Sequence, residues 1–106
     1  MAEIIWSEPA LSDLDAIADY ISLDNPAAAR QLVGRVLLHV EQLEAHPQSG
    51  PKLPELPGWR YRQIIEPPCR VIYRQDRKAV YILHVVRSER LLDSKLLRSR
   101  GRAAKK

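Results

Sequence analysis

Apolar residues recur along this chain with two different periods, and the change of period divides it. Glu3 to Trp6 is a short, partly β-branched apolar run and predicts a first strand. Ser7 then offers a helix cap, with Pro9 tolerated in the first turn and Asp13 and Asp15 near the positive end of the helix dipole. Leu11, Leu14, Ile17, Ala18 and Ile21 follow at helical spacing and make one apolar stripe. Asn25-Pro26 stops that helix and caps the next, in which Ala29, Val33, Val36, Val40 and Leu43 repeat up to His46-Pro47. A connection of about three residues forces the two helices into an antiparallel hairpin with a shared apolar face.

Residues 47–58, PQSGPKLPELPG, hold four prolines and two glycines and cannot form a regular element. Beyond them the period becomes two. Strands are predicted over 59–65, 69–75 and 79–87, with tight turns at Glu66-Pro67-Pro68 and Asp76-Arg77-Lys78. Ser88 is a candidate cap for a short last helix carrying Leu91, Leu92, Leu96 and Leu97. The expected fold is α+β, in the order β-α-α-β-β-β with a short C-terminal helix. An N-terminal strand and an antiparallel helical hairpin pack on a small, mostly antiparallel sheet. One domain spans 1–98, and 99–106 is expected to be a disordered basic tail. The hairpin covers one sheet face; the other is left for solvent or a partner.

Charge sharpens this picture. Fourteen of the 17 Lys and Arg residues lie from Trp59 onward against four acids, giving that half +10, while the first 58 residues carry three bases and nine acids, −6. Such polarity suits a polyanion or an acidic protein. Arg60, Arg62, Arg70, Arg87 and Arg90 fall on or next to the strands and are the candidate partner-binding residues, each a planar fork fitted to carboxylate or phosphate. No apolar run reaches the roughly 18–20 residues of a membrane span, and the N-terminus lacks a signal peptide's pattern. Cys69 has no second cysteine to pair with and reads as a buried small hydrophobe in a reducing cytoplasm.

The common catalytic constellations fail. His39, His46 and His84 are too scattered to bind metal, no glycine-rich phosphate loop exists, and no sharp turn presents a nucleophilic serine. No metal and no cofactor is expected. A phosphate-cutting centre needs proton donors and acceptors besides arginine, which stays charged. His84, Glu66 and Glu89 are the nearby candidates, and His84 sits in the run VYILHVV, where a packed or hydrogen-bonded histidine is the simpler reading. Nucleic-acid stacking needs exposed aromatics, but Trp59, Tyr61, Tyr73 and Tyr81 lie in apolar strand patterns and are assigned to the core.

The order of the segments IIWSEPALSDLDAIADYI, LPGWRYR, CRVIYR and VYILHVVRSER resembles the RelE/ParE superfamily of toxins from bacterial type II toxin–antitoxin systems, over about residues 3 to 97. The resemblance implies a cytoplasmic growth-inhibiting toxin and a cognate antitoxin whose C-terminal segment wraps it in a hetero-oligomer. It also implies one of two activities. ParE-like members, associated with plasmid stabilisation, inhibit DNA gyrase without hydrolysis; RelE-like members cut mRNA on the ribosome. On the nuclease reading Arg70 matches the core-strand arginine. Either Tyr61 and Gln63 or, with a one-residue shift, Arg60 and Arg62 match the first-strand lysines, and Arg87 or Arg90 matches the basic residue after the last strand. Leu91 and Leu92 stand where nucleases carry a terminal Tyr or His. The gyrase branch's His-Gly-x-Arg-Asp type of ending reads Val-Arg-Ser-Glu-Arg here. Loss of that acid/base residue, with the long helical hairpin from Pro9 to His46, favours the ParE-like branch.

Overall fold

The computed structural model describes residues 1–104. Its elements run β1 (Glu3–Trp6), α1 (Glu8–Ser22), α2 (Pro26–Glu41) with a 3-10 turn (Gln42–Glu44), β2 (Tyr61–Glu66), β3 (Cys69–Asp76), β4 (Ala79–Arg87) and α3 (Ser94–Ala104). Both helices of the hairpin start on the expected caps. The Ser7 hydroxyl accepts the Ala10 N–H at 3.2 Å, and Asn25 Oδ1 accepts that of Ala28 at 3.1 Å. Each satisfies a donor the helix cannot, worth about 1 kcal/mol.

The sheet order is β1-β4-β3-β2, with β1 parallel to β4 and the meander antiparallel. On the hairpin side Leu14, Leu32, Val36, Val40 and Leu43 pack on Val71, Tyr73, Val80 and Ile82. Burying one such leucine stabilises the fold by about 1.5–3 kcal/mol. Side chains alternate along β3, so Cys69, Val71 and Tyr73 join this core while Arg70, Ile72 and Arg74 point the other way.

The opposite face is not open, in contrast to the sequence expectation. Leu53 and Leu97 bury themselves there with Tyr61, Ile72, Leu83 and Val86, so the sheet is covered on both sides. The cover comes from two segments whose sequence hides it. The proline-rich loop sends Leu53 inward and lies along β2, where Leu53 N–H bonds Tyr61 C=O at 3.3 Å and Gln63 N–H bonds Pro51 C=O at 3.0 Å. The basic C-terminus, expected to be disordered from 99, continues as helix to Ala104; positions 105–106 lie outside the described residues. Gly101 permits this, because a Cβ there would come within 2.8 Å of both Arg74 Nη1 and Tyr61 Oη. The helix is capped by Asp93, whose Oδ1 accepts the Leu96 N–H at 3.1 Å, and not by Ser88, whose N–H bonds Pro68 C=O at 2.9 Å. Leu91 therefore falls outside the helix and is 97% exposed.

Candidate functional site

β1 has four residues and β4 has nine, so β4 outruns its neighbour after Ile82. Unpaired strand edges attract other chains. Here two side chains from opposite faces of the sheet close part of the edge. Asp13 Oδ2, on α1, accepts the Val85 N–H at 3.1 Å, and Arg100 Nη1, on α3, donates to Leu83 C=O at 3.1 Å. The two side chains also meet each other, Nη1 to Oδ2 at 2.6 Å. A bulge opposite Ile72/Tyr73 inserts an extra residue in β4 and brings His84 to the same spot. His84 Nδ1 lies 2.6 Å from Asp13 Oδ2 and 2.9 Å from Arg100 Nη1. A guanidinium has no acceptor, so the Nδ1 proton is assigned to the carboxylate. Burial pushes the Asp13 carboxyl up, but hydrogen bonds from His84, Arg100 and Val85 together outweigh it and hold the group below the usual carboxylate range.

Beyond this cluster a groove of about 590 Å³ opens between α1 and β4, lined by Ala16, Ile17 and Val85 and at its rim by Tyr20, Arg87, Arg90 and one acid, Glu89. Arg87 Nε donates to Glu89 at 2.8 Å, and its guanidinium lies 5.8 Å from the Tyr20 ring centre. Tyr20 is 68% exposed and Leu23, one turn on, is 84% exposed. An apolar trough with a cationic rim is suited to an amphipathic acidic segment. Among the described residues no three His, Cys, Asp or Glu side chains converge as metal ligands, and no helix is long and apolar enough to cross a membrane.

The five arginines expected to act together are dispersed. Arg87 and Arg90 sit at the groove. Arg70 is buried on the α3 side of the sheet, its fork bidentate on Glu55 at 2.8 and 3.0 Å and its Nε on Gln63 at 2.7 Å. That bidentate bond holds the Glu55 carboxyl below its usual range. Arg62 donates to the Gly50 and Gln48 carbonyls at 2.8 and 3.3 Å and pins the proline-rich loop. Arg60 is exposed, with Asp76 at 3.9 Å. Cys69 is fully buried, and burial pushes its thiol up, away from reactivity.

Residues 4–92 match the model of the ParE toxin of type II toxin-antitoxin system, parDE. The chain belongs to this family. It is 30% identical over 92 residues to Toxin RelE2 of Caulobacter vibrioides, covering 86% of this chain and all of that one. It also resembles a chain of the solved chromosomal ParDE TA system from P. aeruginosa, with a TM-score of 0.70 and 30% identity over 84% of this chain and 98% of that one. The protein is therefore a type II toxin of the RelE/ParE superfamily, and such a system supplies it with an antitoxin partner.

By sequence alone Asp13 is a helix-dipole residue. Its true role carried a signal: Asp13 sits three residues after Ala10 and four before Ile17, on the buried stripe, where a charge requires partners. Arg100 carried none, because its segment read as a tail.

Proposed function

We propose that this ParE-family toxin arrests growth by binding DNA gyrase, without hydrolysis, and that its antitoxin silences it through the α1–β4 groove. The observation that carries the first half is the separation of Arg60, Arg62 and Arg70, three of the arginines a ribonuclease would use, from the His84–Asp13 pair. A phosphodiester cut needs charge stabilisation and proton transfer within about 3 Å of one phosphate. His84 and Asp13 meet on the hairpin side of β4's edge, whereas Arg70 points to the opposite face, where each of its three nitrogens donates to Glu55 or Gln63. Arg60 and Arg62 stand near the start of β2, whereas Arg70 pairs with its far end at Ile65. A protein that acts by shape and charge needs no such convergence. Gyrase as target makes the cytoplasm the site of action.

The groove supports the second half. It offers apolar anchors at Ile17 and Tyr20, with Arg87 and Arg90 at the rim for carboxylates, which gives fast, salt-sensitive association and slow release. Arg60 enters this reading only as an outlying contact, while Arg62 and Arg70 hold the fold.

One observation favours the alternative, a ribosome-dependent mRNA endoribonuclease. His84 is held by a carboxylate as an acid/base imidazole is held, and it lines the groove together with Arg87. Two assays separate the readings: gyrase supercoiling and a toeprint on translating ribosomes. Inhibition of the first with mRNA left intact is the expected result. Codon-positioned cleavage with unimpaired gyrase overturns the proposal.

A further inference from the structure

The C-terminal helix presents a second surface unlike the groove. Counting 100° per residue, Leu97, Gly101 and Ala104 of α3 turn toward the sheet, and Lys95, Arg98 and Arg102 fall within about 60° of one another on the outer side. Lys95 and Arg102 are exposed and Arg98 is half-buried. No carboxylate lies within ion-pair distance of any of them among the described residues, and Ser94–Ala104 contains no acid. Arg98 rests on an aromatic ring instead, its guanidinium 5.2 Å from the Trp59 centre, so its charge is positioned without being neutralised. Trp59 stacks in turn on buried Tyr61 at 5.8 Å and 15°, yet remains 38% exposed, in contrast to the core position read from sequence.

We infer that this stripe is a docking surface for the phosphate backbone of double-stranded DNA. The choice of duplex DNA rests on the gyrase reading, whose target holds such DNA. Beside the cations, along one flank of the stripe, lie the small, exposed Ser99 and Ala103, which let the helix approach a backbone closely. A protein partner's interface would need an apolar anchor and would disfavour lysine at its centre. The groove has such anchors in Ile17 and Tyr20, whereas Trp59 at the stripe is already held between Arg98 and Tyr61. From Lys95 to Arg102 the helix advances about 10 Å, and duplex DNA carries one charge per about 1.7 Å of axis, so the stripe faces several phosphates at once. Contact is independent of sequence, because no side chain here reads base edges.

The test is fluorescence anisotropy of the full chain on a 30-base-pair duplex at 50 and 200 mM salt, without gyrase. Three phosphate contacts weaken binding about 40-fold over that range. Lys95→Ala/Arg102→Ala should make the plot of log affinity against log salt shallower by about two. Its melting temperature serves as the folding control, since both positions are exposed and alanine favours helix. Absence of duplex binding by the parent, an unchanged slope in a folded variant, or stronger binding to single-stranded RNA overturns the inference. So does a variant that weakens only the antitoxin complex, which would give the stripe to an acidic protein. A chain that inhibits gyrase yet binds no duplex loses this inference and keeps the gyrase reading.

Discussion

Asp13 and Arg100 reach across the free edge of β4 from opposite faces of the sheet and meet at 2.6 Å, each also holding one backbone group of that strand. The ion pair therefore ties the helical hairpin to the C-terminal helix across the sheet's edge. It also occupies the Val85 N–H and Leu83 C=O that another strand would need. An incoming segment at the groove meets an edge that is part closed, and so depends on side-chain anchors more than on strand addition.

The pair should make stability depend on acid. Asp13 ionises at lower pH in the folded protein than in the unfolded chain. As pH falls, the unfolded chain takes up the proton first, so the stabilisation is complete above the ordinary carboxylate range and is lost as the folded group titrates. Asp13→Ala leaves Arg100 and His84 without their carboxylate and should cost about 3 kcal/mol near neutral pH. Urea unfolding from pH 7 to pH 3 checks both effects: the variant's curve should be the flatter one.

Arg87 and Arg90 lie at the rim, where charge steers encounter. Arg87→Ala/Arg90→Ala should slow antitoxin association by about tenfold at low salt and little at high salt, whereas Tyr20→Ala should mainly speed dissociation. Surface plasmon resonance at two salt concentrations separates the two effects. Equal losses of both kinds in both variants would place the antitoxin elsewhere.

Arg70 serves the fold in this account. Arg70→Ala strands Gln63 and Glu55 and should lower stability by about 1–3 kcal/mol, with gyrase inhibition intact below the melting transition. Thermal melting and a supercoiling assay on the same sample test this. Full stability with lost inhibition would make Arg70 a target contact.

Much of the fold was legible because local signals agreed. Ser7 and Asn25 fixed the helix starts, the shift from helical to alternating period fixed the meander, and the turn at Arg77-Lys78 fixed its last hairpin. The second core was not legible, because its members are isolated in polar surroundings. Leu53 stands among prolines, and Leu97 precedes a run of arginines with one glycine, whose use as a packing surface depends on Arg74 and Tyr61 across the sheet. The burial of Arg70 was hidden for a related reason. Period two says which face a residue points to, not whether that face is already covered, so Arg70 looked available and is buried. Asp13 was visible only as a charge on an apolar stripe.

The most direct measurement of the central claim is a supercoiling titration of purified gyrase with the purified toxin, repeated after preincubation with equimolar antitoxin. Dose-dependent loss of supercoiling, relieved by the antitoxin, is the predicted result. Full supercoiling at toxin concentrations that stop growth in cells would contradict it.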